Sequence, residues 1–202
     1  VFGKPTILRR SNSSSPTGGT VALNRTYAYN ASQELCRSVE PETGATLMGY
    51  DGAGNLKWSA AGLPAGQACE THGTSPAVTL RRVDRTYDAR NRLKTLEFPD
   101  GNGDQAWAYY SDGLPQQIST WNIGFAGATP AETRNLYTYN KRRLLKTELI
   151  AVPAWYTFSV EHGYNPNGHE TSLSYPSGHV VTTAVNALGQ PTAITGGTTT
   201  YA

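Results

Sequence analysis

Short runs in which apolar and polar residues alternate, broken by polar clusters rich in Gly, Asn, Asp and Pro, recur along the chain. A period of two puts successive side chains on opposite faces, so each run predicts a β-strand and each cluster a turn. In Arg25-Thr26-Tyr27-Ala28-Tyr29-Asn30, Tyr27 and Tyr29 share one face. The fullest form of the pattern is Tyr50-Asp51-Gly52-Ala53-Gly54-Asn55-Leu56-Lys57-Trp58. It has an aromatic strand end, a polar turn whose glycine supplies positive φ, and a return strand that opens on an apolar residue. Tyr87-Asp88-Ala89-Arg90-Asn91-Arg92-Leu93 repeats it with Asn91 at the glycine place. Asn is the non-glycine residue that best tolerates a left-handed backbone. Tyr164-Asn165-Pro166-Asn167-Gly168 repeats it again.

Seven copies are predicted, led by Tyr29, Tyr50, Tyr87, Tyr109, Tyr139, Tyr164 and Val185, with spacings of 21, 37, 22, 30, 25 and 21 residues. A floor of 21 with variable additions predicts one hairpin unit carrying surface insertions, since lengthening a loop costs little entropy. The longest insertion, around Leu63 to Pro76, holds Cys69 and His72. A second turn is marked at Pro41-Glu42-Thr43-Gly44, Phe98-Pro99-Asp100-Gly101 and Tyr175-Pro176-Ser177-Gly178. Gly113, Gly168 and Gly189 fill the glycine place in the fourth, sixth and seventh copies, whereas Arg143 in the fifth predicts a strained turn. Pro115 replaces the apolar return residue of the fourth copy and weakens that strand. Residues 1–28 read as a partial unit, because Gly3-Lys4-Pro5-Thr6 matches Gly189-Gln190-Pro191-Thr192, followed by a Ser/Gly/Pro loop at Ser11 to Gly19. Two residues ahead of the leading positions stand Tyr27, Met48, Arg85, Trp107, Tyr137, His162 and Thr183, a column that predicts a ladder of rings and aliphatics on one face.

Composition supports this reading: the 202 residues include 21 Gly, 12 Pro and 12 Tyr at 38% hydrophobic content, a mix that favours short strands over helices. The formal charge of +2 gives no support to a nucleic-acid partner. Cys36 and Cys69 are too few for a disulfide framework or a four-ligand zinc site. One bridge or two buried thiols remain open, with thiols favoured because free cysteine packs as a small hydrophobe. No signal pattern opens the chain and no apolar run is long enough for a membrane helix. The lack of an initiator methionine and the partial first unit suggest a piece of a longer polypeptide.

Candidate chemistry is sparse. His72, His162, His169 and His179 show no ligand spacing or acidic partner pattern, so no metal or cofactor is expected. Asp51 and Asp88 share their slot with Asn30, Asn140, Asn165 and Asn186. A catalytic acid would not be interchangeable with asparagine, whereas a residue that bonds turn backbone would be. Asp100-Gly101-Asn102-Gly103-Asp104 resembles the start of a calcium loop, but Ser111 stands where the twelfth-place glutamate belongs. No nucleophile elbow or phosphate loop occurs, and no catalytic residue is expected. The basic clusters Arg81-Arg82 and Lys141-Arg142-Arg143 with Lys146 read as charge on exposed edges or turns.

The Tyr-Asp/Asn-x-x-Gly-x-Leu phrase, the Phe/Tyr-Pro-x-Gly second turn and the Tyr-x-Tyr-Asn strand resemble the YD or RHS repeats. Such repeats occur in bacterial Rhs polymorphic toxins, the B and C components of insecticidal toxin complexes, wall-associated proteins and teneurins. The similarity runs from Gly3 to about Tyr201. It implies an all-β fold of consecutive antiparallel hairpins in one curved, spiralling sheet, a segment of a hollow shell around a C-terminal toxin domain. It also implies that residues 1–202 are a single repeat array within an exported bacterial protein, secreted or at the cell surface. The signature residues carried over are Tyr29, Tyr50, Asp51, Gly54, Tyr87, Asp88, Asn91, Tyr109, Gly113, Tyr139, Tyr164, Gly168 and Gly189. The expected partners are flanking repeats and the enclosed toxin, with self-association through open sheet edges. An alternative is a carbohydrate-binding or surface-binding module, in which Trp121 and Trp155, in the fourth and fifth insertions, stack on sugar rings; Trp58 also stands outside the ladder.

Overall fold

The structure, a computed structural model, describes residues 3–11, 22–122, 131–153, 155–197 and 199–201. Most of the Ser/Gly/Pro loop, residues 12–19, and part of the fourth insertion, residues 123–130, lie outside them. The described chain is all-β apart from one four-residue helix. It divides into two compact units, Val1–Asp104 and Gln105–Ala202.

The first unit holds β1 (Ile7–Ser11), β2 (Ala22–Tyr29), β3 (Leu35–Glu40), β4 (Gly44–Tyr50), β5 (Leu56–Leu63), the helix α1 (Pro76–Thr79), β6 (Arg82–Tyr87) and β7 (Leu93–Glu97). The strand β8 (Asp104–Tyr109) starts on the last residue of the first unit and otherwise belongs to the second. It is followed by β9 (Pro115–Asn122), β10 (Ala131–Tyr139), β11 (Leu145–Val152), β12 (Tyr156–Tyr164), β13 (Glu170–Ser174), β14 (Val180–Val185), β15 (Pro191–Gly196) and β16 (Thr199–Tyr201). In each unit the strands lie in the sheet in chain order. From β1 to β7 and from β9 to β16 every neighbouring pair is antiparallel. The consecutive-hairpin fold expected from the repeats is therefore the one observed.

Six of the seven phrase hairpins, those led by Tyr29, Tyr50, Tyr87, Tyr139, Tyr164 and Val185, carry the same irregularity. Gly49 faces Trp58 while Tyr50 faces Leu56, so Lys57 is an extra residue, a β-bulge. The register skips Cys36, Lys94, Lys146, Thr171 and Thr192 in the same way. The bulge lets a tight turn join two twisted strands without breaking the alternation beyond it.

The ladder column is half-buried throughout, at Tyr27, Met48, Arg85, Trp107, Tyr137, His162 and Thr183. The closed core lies elsewhere. Ala45, Leu47, Trp58, Ala60, Leu63 and Val78 form one buried cluster, with Val39 packed against it. In β4 the buried positions are Ala45, Leu47 and Gly49, alternating with Thr46, Met48 and Tyr50. The core thus sits on the face opposite the tyrosines. It forms there because the insertion after Leu63 lies across that face and ends in α1, whose Val78 is fully buried. A Cβ at Gly49 would overlap the Trp58 indole nitrogen, and one at Gly73 would come 2.8 Å from its ring. The indole therefore lies flat between the backbone of β4 and the backbone of the insertion.

Cys36 and Cys69 form a disulfide, with Cα atoms 5.5 Å apart. This corrects the preference for two thiols. Cys36 occupies a bulge position, where the side chain leaves the regular alternation, and the returning insertion brings Cys69 to it.

Candidate functional site

The first arrangement with a functional bearing is the row of turns. In all seven hairpins the second residue of the phrase donates its N–H to the sixth residue's carbonyl and accepts the fifth residue's N–H: Asn30, Asp51, Asp88, Tyr110, Asn140, Asn165 and Asn186. The fifth residue is left-handed throughout, with φ of +64° at Gln33, +81° at Gly54, +58° at Asn91 and +65° at Arg143. Gly113, Gly168 and Gly189 fill the place in the other three. Gln33 was not foreseen; its signal is only its count from Tyr29.

The Asp/Asn slot acts as a turn clamp. Asp51 Oδ1 accepts the N–H groups of Ala53 and Asn55, each at 2.9 Å, and its other oxygen accepts from Asn55 Nδ2 at 3.0 Å. These bonds, led by that of the Asn55 side chain, hold the carboxyl below its ordinary pKa. Asp88 makes the same backbone bonds and accepts from Arg92 Nε at 2.7 Å, which lowers its pKa to about 2. Asn140, Asn165 and Asn186 accept the corresponding pair of N–H groups. Tyr110 fills this slot in the fourth hairpin and brings no such acceptor; Asp112, two residues on, bonds the Leu114 N–H at 3.2 Å instead.

Successive turns lean on one another. The sixth residue of one unit reaches the fifth of the next: Lys4 Nζ bonds the Gln33 carbonyl, Asn55 Nδ2 bonds Asn91 Oδ1 at 3.1 Å, and His169 packs on Gly189. Arg142 donates to the Pro166 carbonyl at 2.5 Å and Arg143 to the Asp112 carbonyl at 3.2 Å. The basic cluster at Arg142 and Arg143 is thus bound to neighbouring turns.

In the first unit the leading tyrosines add a second tie. The hydroxyls of Tyr29, Tyr50 and Tyr87 donate to the carbonyls of Pro5, Leu35 and Leu56, the seventh residue of the preceding unit in each case, at 3.0, 2.9 and 2.9 Å. Burial, aided by nearby Glu34, raises the Tyr50 pKa and keeps the phenol protonated as a donor. In the second unit Tyr139 instead meets Tyr110 edge to face at 6.1 Å, and the Tyr110 hydroxyl donates to the Tyr137 carbonyl at 3.0 Å. The leading residues Tyr109, Tyr139, Tyr164 and Val185 each end a strand.

No constellation of acid–base or metal-ligating groups forms among the described residues: no three His, Cys, Asp or Glu side chains converge. His162 lies 3.3 Å from Glu170, and the His72 carbonyl accepts from Arg82 at 3.0 Å. Asp104 and Asp100 accept the N–H groups of Phe98 and Asn102 at 2.7 and 3.1 Å, so in the calcium-like run these carboxylates bond turn backbone. Trp58 is buried in the core under the Arg82 guanidinium, 5.6 Å from the ring centre. Trp121 is half-buried on β9 opposite Glu132, and Trp155 is 84% exposed at the β11–β12 turn. No helix among the described residues is long and apolar enough to cross a membrane.

No protein-family model matches the sequence, and no curated protein matches it. Among solved structures, the chain is similar to one in the crystal structure of TcdB2-TccC3-TEV, at 14% identity over 93% of this chain and 12% of that one, with a TM-score of 0.47. It is similar at 14% identity and a TM-score of 0.48 to one in TcdB2-TccC3 without its hypervariable C-terminal region, over 93% and 12% of the two chains. A chain of the Photorhabdus luminescens Tc holotoxin pore is similar at 13% identity and a TM-score of 0.45, over 82% of this chain and 10% of that one. The protein spans about an eighth of these chains or less.

Proposed function

We propose that the protein is a stretch of repeat wall in an Rhs-type toxin shell, one array of hairpins that helps enclose a toxin or effector domain in an exported bacterial polypeptide and performs no catalysis. The observation that carries this reading is the stacking of turns. Where the fifth residue of one phrase rests on the sixth of the phrase before, each hairpin is completed by its predecessor and can receive a successor, the property that lets a sheet grow one unit at a time. The aspartates fit the same role, since their oxygens are occupied by turn N–H groups.

Protease accessibility in the longest polypeptide that carries this array tests the reading. A wall predicts a protected cargo segment that becomes cleavable when a turn is broken by Gly54→Val. Equal cleavage in both proteins would overturn it. The carbohydrate-binding reading draws on Trp155, an exposed ring beside Tyr156, which is itself 59% exposed. Saturable binding on a glycan array, lost in Trp155→Ala, would put that reading first.

A further inference from the structure

We propose that the Cys36–Cys69 disulfide is a thiol-exchange site that latches the insertion 64–75 over the core of the first unit, so that a reducing environment lifts the insertion and uncovers Trp58. The two sulfurs are unequally placed. Both border an open groove of about 250 Å³ with Tyr50, Glu70 and Thr71, but Cys36 is 3% exposed, whereas Cys69 is exposed on the insertion. A small thiol therefore reaches Cys69 Sγ first.

Little else holds the middle of the insertion down. Between Leu63 and Val78 its apolar side chains, Pro64, Ala65, Ala68, Pro76 and Ala77, are exposed, and Gly73 against the indole is the one buried residue. The bonds Gln67–Glu70 and Ser75–Glu70 lie within the insertion and do not tie it to the sheet. Its hydrogen bonds to the sheet come from two arginines: Arg37 to the Gln67 carbonyl at 3.1 Å, and Arg82 to the carbonyls of His72 and Gly73 at 3.0 and 3.3 Å. Water can replace such bonds at small net cost. The disulfide closes the loop, and closure is the main restraint on so polar a segment.

The exchange balances with a monothiol such as glutathione. Its thiolate attacks Cys69 Sγ, forming a mixed disulfide, and Cys36 leaves as a thiolate that takes up a proton. A second thiolate attacks the glutathione sulfur, releasing oxidised glutathione and the Cys69 thiol. The two glutathione sulfurs are oxidised and the protein disulfide is reduced by two electrons.

The test uses the intact chain with reduced glutathione, following amide exchange by mass spectrometry and trapping the mixed disulfide at low pH. The latch predicts glutathione on Cys69, exchange in 66–75 at least about thirtyfold faster after full reduction, and a smaller acceleration in the β4 and β5 amides, which lose the cover over Trp58 but keep their strand pairing. Glutathione trapped on Cys36 would overturn the proposal. So would unchanged exchange in 66–75 with both thiols free, or loss of protection throughout the first unit, which would make the bridge a staple of the whole fold. The Cys36→Ser/Cys69→Ser protein, never oxidised, is expected to reproduce the reduced pattern; protection of 66–75 in that protein would contradict the latch.

Discussion

The two units are built from the same hairpin and differ in what covers it. In the first, Ala45, Leu47, Trp58, Ala60, Leu63 and Val78 are sealed beneath an insertion. In the second, Ser119 is the one fully buried side chain among the described residues, while Trp155, Tyr156, Phe158, Val180, Leu188 and Ile194 are at least 40% exposed. Turn chemistry is therefore sufficient to specify hairpin order, whereas a closed core required a segment inserted between hairpins. Small residues at Ala45, Gly49 and Ala60 make room for one large ring, and burying that ring does for the first unit what no single side chain does for the second.

The largest expected effect sharpens this contrast. Trp58→Ala is expected to lower the unfolding free energy of the first unit by about 3–5 kcal/mol in denaturant titrations, while Trp155→Ala changes the second by less than about 0.5 kcal/mol. Similar losses at both sites would erase the distinction. Next, Gly54→Val is expected to cost more than about 1 kcal/mol, since a β-branched residue is strained at φ +81°. In the second unit the sign reverses: Arg143→Gly relieves a left-handed arginine and is expected to raise stability by about 0.5–1 kcal/mol, read as a shift in the midpoint.

The smallest effect is a pH dependence. With its folded pKa lowered to about 2, Asp88 contributes stability that is fully present above the unfolded value near 4. That contribution is lost as pH falls from there through about 2. Asp88→Asn retains an acceptor for the turn N–H groups but cannot titrate. Acid titrations of the first unit are expected to be flatter in the variant over that window, and identical curves would remove Asp88 from the account.

The hairpin order was readable because each turn needs a backbone clamp and a left-handed residue, and those needs leave Asp or Asn and Gly at fixed places. Arg143 was legible as a strained exception. Gln33 was not, since nothing in its chemistry marks a left-handed site, and Tyr110 in the clamp slot was hidden behind Tyr109. The aromatic column marks one face of the sheet, and the closed core lies on the other. Rings at Tyr27 and Met48's neighbour Tyr50 are conspicuous, whereas a core of Ala, Leu and Gly around Trp58 becomes visible only when the insertion is laid over it. Nor could a 33-residue separation decide between a bridge and two thiols, because pairing depends on where the insertion returns.

Amide hydrogen exchange along the intact, oxidised chain tests most directly that the first unit holds its own covered core while the second is a sheet without one. Protection is expected to peak in Gly44–Tyr50 and Leu56–Leu63 and to be at least about tenfold lower in β12 to β15. Equal or greater protection from Tyr156 to Gly196 would show that the second unit's sheet is covered after all, and would contradict the comparison.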